Sequence, residues 1–108
     1  MKEVISNSSK EVQLQAVKQY AVSIQFINDP SNEVQLEAVK NNAYAIQFIN
    51  NPSEEIQLES VNQNGYVIQY IKDPSKEVQL RAVKQNKDVF DTIQDKQYII
   101  DNYPEVLV

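Results

Sequence analysis

Hydrophobic positions recur along this chain in a fixed frame. Aligned on Pro30, Pro52 and Pro74, three segments of 22 residues repeat one another, and an earlier copy at 7–28 carries Ser8 in place of the proline. The first half of each copy shares Val12/Val34/Ile56/Val78, Leu14/Leu36/Leu58/Leu80 and Val17/Val39/Val61/Val83. The second half shares Ile24/Ile46/Ile68, Phe26/Phe48/Tyr70 and Ile27/Ile49/Ile71. A constant period without insertions marks a repeat architecture, in which each unit buries its apolar face against its neighbours.

The run Val34, Gln35, Leu36, Glu37, Ala38 alternates as a strand does, so a β-solenoid or leucine-rich repeat has to be weighed against helix. Composition favours helix. The first segments are filled with Glu, Gln, Ala, Leu and Lys, which lose little rotamer freedom in a helix. Asp29-Pro30 and Asp73-Pro74 suit an N-cap followed by a proline in the first turn. Gly65, the one glycine, follows Asn64 at the expected helix end and predicts a left-handed C-cap there.

The predicted fold class is therefore all-α, a short α-solenoid of tandem 22-residue helix-turn-helix repeats. A longer helix A over about 31–41 is followed by a shorter helix B over about 43–49. The chain forms one domain, 1–108, with repeats at 7–28, 29–50, 51–72 and 73–94. A half-repeat at 1–6, with Ile5 matching Ile27, caps the N-terminus. At the other end the pattern decays: Asp88, Asp91 and Thr92 replace Tyr66, Gln69 and Tyr70, the polar substitution that a terminal unit requires, and 95–108 forms a C-terminal cap. A lone unit buries too little to fold, so stability is expected to rise with repeat number.

At about 100° per residue, Glu33, Glu37 and Lys40 share one face of helix A, with Val34, Leu36, Ala38 and Val39 around the other. Gln13, Gln35, Gln57 and Gln79 fall near the middle of the apolar face. Buried amides need partners, so each is expected to bond the main chain of an inter-helix turn or to stack as a ladder, a structural role. Helix B is apolar nearly all round, Gln47 excepted, which predicts enclosure by neighbours. Phe26 and Phe48 are accordingly assigned to the core. Tyr44, Tyr66 and Tyr70, amphipathic and suited to interfaces, are expected to line a shared inner groove.

Composition narrows the chemistry. With no Cys and no His, thiol nucleophiles, disulfides, imidazole bases and the commonest nitrogen and sulfur metal ligands are excluded. No Gly-rich phosphate loop or nucleophile-base pair occurs, and a regular row of exposed acids lacks the asymmetry that acid-base catalysis needs. No enzyme activity, cofactor or metal is expected. No stretch is apolar enough to span a bilayer and 1–6 is too polar for a signal peptide, so a cytoplasmic protein without membrane partners is expected.

Net charge is −5, which weighs against direct nucleic-acid binding. The charge is unevenly spread. Asp29, Glu33, Glu37, Glu54, Glu55 and Glu59 face only Lys40 between 29 and 71, whereas Lys72, Lys76, Arg81, Lys84 and Lys87 outnumber Asp73 and Glu77 beyond. The pairs Glu33/Glu37 and Glu55/Glu59 set like charges four apart on the solvent face, a small cost that a basic protein partner would relieve. The apolar tail Glu105, Val106, Leu107, Val108 is expected to dock on the last repeat or to supply a homodimer contact.

The wording Gln63, Asn64, Gly65, Tyr66, Ile68, Gln69, joined to Glu77, Val78, Gln79, Leu80, Ala82, Val83, Lys84, Gln85, resembles a bacterial and bacteriophage repeat family classed as a domain of unknown function. The resemblance spans about 7–94. Ser8 for Pro, Ala21 and Ala43 for Gly, and the degraded last copy depart from it. It implies an all-helical repeat and brings no activity, substrate or site.

The expected function is a non-enzymatic protein-binding α-solenoid presenting a groove or an acidic ridge. The family's occurrence in phages suggests a sharper form, an anti-CRISPR-like inhibitor of a bacterial defence complex acting in the host cytoplasm. The alternatives are an acidic nucleic-acid mimic that occupies a basic channel, and a self-assembling structural protein.

Overall fold

The computed structural model describes residues 8–108, and the half-repeat expected at 1–6 lies outside them. Each unit begins with an α-helix: α1 (Lys10–Gln19), α2 (Asn32–Asn41), α3 (Glu54–Gln63) and α4 (Lys76–Gln85). Each continues into a 3-10 helix: η1 (Ala21–Phe26), η2 (Ala43–Phe48), η3 (Gly65–Tyr70) and η4 (Lys87–Thr92). The chain ends with α5 (Lys96–Asn102) and η5 (Pro104–Leu107). Among the described residues the regular structure is all helical, with no strand.

Successive α-helices from α1 to α4 pack on one another, as do successive 3-10 helices from η1 to η4. Each of η1, η2 and η3 also packs between its own α-helix and the next. The result measures 49 × 20 × 17 Å. Its core is made largely of β-branched residues from the facing sides of the two layers, among them Val17, Ile24, Val34, Val39, Ile46, Ile56, Val61, Val78 and Val83.

Helix starts follow a rule different from the Asp-Pro cap expected. Asp29, Asn51 and Asp73 adopt φ of 50°, 51° and 51°, a left-handed turn that Asp and Asn tolerate better than other side chains. The N-cap is the serine two residues on. Ser9, Ser31, Ser53 and Ser75 each accept a hydrogen bond from the third helical N–H, at Val12, Val34, Ile56 and Val78. That bond satisfies one of the orphan donors of the first turn. Ser31→Ala is expected to cost about 1 kcal/mol and to lower the melting temperature by roughly 4–8 °C. An unchanged thermal transition would deny the cap its role.

The switch from α to 3-10 is also encoded. Asn42, Asn64 and Asn86 stand extended at the junction, with φ of −155°, −154° and −152°. Their side-chain oxygens accept from the N–H of Tyr44, Tyr66 and Asp88 at 3.0, 3.0 and 2.9 Å. Their carbonyls accept from Ala45, Val67 and Val89, which starts the tighter i to i+3 pattern. Gly65 is not a left-handed cap: no glycine has positive φ, and Gly65 is the first residue of η3.

The 3-10 period overturns the expected enclosure of helix B. With about 3.0 residues per turn in place of about 3.6, residues three apart share a face. Ala43, Ile46 and Ile49 are therefore buried while Gln47 and Phe48 stay exposed. Phe26 and Phe48 are 40% and 36% exposed, so their assignment to the core is corrected. Among the described residues the η layer has α-helices on one side, and no element packs on the other.

At the C-terminus, Val106 and Leu107 pack against the core, η5 touches α4 and α5, and the Lys87 ammonium donates to the Val108 main-chain oxygen at 2.7 Å. Tyr98 and Tyr103 pair at 5.9 Å between ring centroids. Lys76 lies 4.9 Å over the first ring and Lys84 5.8 Å over the second. Cation–π contact thus ties α4 to the cap.

Candidate functional site

The outer face of the η layer carries the largest set of exposed apolar side chains. Phe26, Phe48 and Tyr70 occupy the same position in three successive units and are 40%, 36% and 41% exposed. Val22 on η1 and Tyr66 on η3 are exposed as well. Tyr44, half-buried, meets Tyr70 of the following unit edge to face, with ring centroids 6.0 Å apart. The aromatics thus form a strip with one ring position per unit, joined by direct ring contact between the second and third units. It ends at η4, where the Tyr66 hydroxyl lies 3.4 Å from the Asp88 carboxylate and Thr92 takes the aromatic position.

On this face the segments 20–28, 42–50 and 64–71 carry no Asp, Glu, Lys or Arg, whereas Lys87, Asp88 and Asp91 stand exposed on η4, and Asp29 and Lys72 each line a cleft beside the strip. Clefts open along it at one-repeat intervals. One of about 280 Å³ includes Ile27, Pro30, Gln35 and Phe48 in its lining. Another of about 580 Å³ includes Ile49, Pro52, Gln57 and Tyr70. A smaller one of about 180 Å³ includes Ile71, Pro74 and Thr92.

Two members of the glutamine series, Gln35 and Gln57, line these clefts. Gln13, Gln35, Gln57 and Gln79 donate from Nε2 to the main-chain oxygens of Ser8, Pro30, Pro52 and Pro74, at 3.0, 3.0, 2.9 and 3.0 Å. Each amide thus pins its own helix to the turn that enters it. Gln79 alone of the series is fully buried, at 1% exposure. It also donates to the Asp95 carboxylate at 2.6 Å and accepts from the Asp95 N–H at 2.8 Å. The Oε1 atoms of Gln35 and Gln57 have no donor among the described residues.

A second amide series escaped the sequence reading. Asn41 donates to the carbonyls of Val17 and Lys18 at 2.8 and 2.9 Å, Gln63 to Val39 at 2.9 Å, and Gln85 to Gln63 at 3.2 Å. These bonds satisfy orphan carbonyls at the end of the preceding α-helix and so link unit to unit. The signal was present as an amide at each helix end, Gln19, Asn41, Gln63 and Gln85.

The acids lie on the α layer. Glu33 pairs with Lys10, Glu55 accepts from Asn32 at 2.9 Å, and Glu59 accepts from Gln63 at 3.0 Å. The first two contacts join neighbouring units. Glu37 is half-buried on α2. The seven expected contact residues thus divide, with Tyr44, Tyr66 and Tyr70 on the η layer and Glu33, Glu37, Glu55 and Glu59 on the α layer.

Comparison with protein-family models, curated proteins and solved structures gives no match. Among the described residues no group of three or more acids is placed to hold a metal ion, and no helix is long and apolar enough to cross a membrane.

Proposed function

We propose that the chain is a non-enzymatic protein-binding module, a short α-solenoid that receives another protein on the aromatic outer face of η1, η2 and η3. One observation carries this reading: Phe26, Phe48 and Tyr70 stand exposed at one position of three successive units. Contiguous exposed aromatics are costly to keep in water and common at interface hot spots. The acidic ridge gives weaker support for a basic partner, because Glu33 and Glu55 already serve contacts between units. For the same reason the nucleic-acid mimic ranks second. Through the motif resemblance, a bacterial defence complex such as a CRISPR effector is the partner class to try first.

Affinity capture from a bacterial lysate followed by mass spectrometry tests the reading. A protein retained by the wild-type chain is expected to lose at least tenfold in recovery when Phe26, Phe48 and Tyr70 are all changed to Ser. Glu33→Gln with Glu55→Gln is expected to leave recovery within about twofold. Raising salt from about 0.05 to about 0.5 M is also expected to change little, since screening acts on charge. Recovery that survives the aromatic changes and collapses in salt would transfer the site to the acids.

A further inference from the structure

We infer that the ligand of the 3-10 face is a proline-rich segment in the polyproline II conformation, lying along the aromatic strip with one turn per repeat. This inference rests on the protein-binding reading above and names the chemistry of the bound segment. It is argued from the recurrence of one exposed aromatic per unit, the absence of charged residues from η1, η2 and η3, and the open oxygens of Gln35 and Gln57.

Packed helices stand about 8–10 Å apart, so Phe26, Phe48 and Tyr70, one per unit, recur at about that interval. A polyproline II helix has three residues per turn and rises about 3.1 Å per residue, so like faces recur every 9.3 Å or so. A β-strand returns to the same face at about 6.6 Å and then about 13 Å, missing the interval both times. An α-helix returns to one face after seven residues, at about 10.5 Å, but it is about 10–12 Å wide and its N–H groups are spent internally.

That last difference selects between ligands. Gln35 and Gln57 line successive clefts and hold their Nε2 on Pro30 and Pro52, leaving each Oε1 available to a donor. The fourth unit shows the use of such an oxygen, because Gln79 Oε1 accepts the main-chain N–H of Asp95 at 2.8 Å. A polyproline II segment has no internal hydrogen bonds, so a non-proline residue in each turn can donate its N–H to Gln35 and then to Gln57. The prolines between pack on Phe48 and Tyr70, as proline-rich ligands do on aromatic grooves. These contacts need no charge, in keeping with η1, η2 and η3, which hold none.

The probe is a peptide of four Pro-Pro-Ala triplets, titrated into the wild-type chain and followed by heteronuclear NMR. Saturable shifts are expected at Gln35, Phe48, Gln57 and Tyr70, and none from a Gly-Ser peptide of equal length. Phe48→Ala with Tyr70→Ala is expected to weaken binding at least tenfold. Dodecaproline, which lacks the donors, is expected to bind about fivefold more weakly than the triplet peptide. The inference is overturned by no shifts at about 5 mM peptide, by shifts confined to the α layer, or by equal binding of dodecaproline. It is overturned equally if the strip signals move with protein concentration alone, which would make a second copy the occupant. A protein captured through the strip despite failure of the peptide would sink only the polyproline identity, whereas capture indifferent to the strip would sink the protein-binding reading.

Discussion

Gly65→Val is expected to destabilise the chain by about 3 kcal/mol and to lower its melting temperature by roughly 10–20 °C. A Cβ at this position would lie 2.5 Å from the Ala82 carbonyl oxygen, 3.1 Å from Gln85 Oε1 and 3.3 Å from Asn86 Cβ. The nearest neighbour is a main-chain carbonyl in the last turn of α4, which accepts from the Asn86 N–H, so no rotamer change relieves the conflict. Separating η3 from α4 would also stretch the hydrogen bond from the Gly65 N–H to Gln85 Oε1, now 2.6 Å. Ala21 and Ala43 hold methyl groups at the equivalent positions of the first two units, so Gly65→Ala should cost less, about 1–2 kcal/mol. Thermal unfolding followed by circular dichroism measures both. A valine variant melting within about 2 °C of wild type would show that the third and fourth units separate at little cost.

Gln79→Leu is expected to cost about 2–3 kcal/mol, the largest penalty in the glutamine series. The substitution removes the partner of three groups, the Pro74 carbonyl, the Asp95 N–H and the Asp95 carboxylate, at a site 1% exposed. Buried groups left without partners cost about 1–3 kcal/mol each where water cannot reach them. Gln13→Leu removes a single bond, to Ser8, at a half-buried site and should cost about 1 kcal/mol or less. Gln35→Leu and Gln57→Leu likewise remove one bond each at half-buried sites and should cost about the same as Gln13→Leu. Denaturant unfolding gives the order, and hydrogen exchange in α5 should speed up in the Gln79 variant alone, because Asp95 anchors that helix. An increase in stability from Gln35→Leu would remove the structural role of the whole series.

Much of this was written in the order of residues. The 22-residue period, the α-helix beginning near Asn32 and ending near Asn41, and the need of each repeated glutamine for a main-chain partner follow from side-chain chemistry that acts within a few residues. Helix propensity, serine and asparagine capping, and amide satisfaction are local effects, so a single unit already displays them. The repeated Ser31, Ser53 and Ser75 would have given the N-caps directly, had they been set above the more conspicuous Asp-Pro pairs.

Packing decided the rest. Whether the second segment of each unit winds as α or 3-10 depends on what its carbonyls and side chains meet across the layer, and that choice set the faces of Phe26, Phe48 and Tyr70. Apolar character alone assigned the two phenylalanines inward, yet the η layer has a core on one side only and the tighter turn carries them out. Gly65 has an ordinary backbone conformation, and its small size matters only because α4, some twenty residues away in sequence, brings a carbonyl against it. Interactions between distant segments depend on where the chain returns, and no spacing along the sequence fixes that distance to the ångström on which a missing methyl group depends.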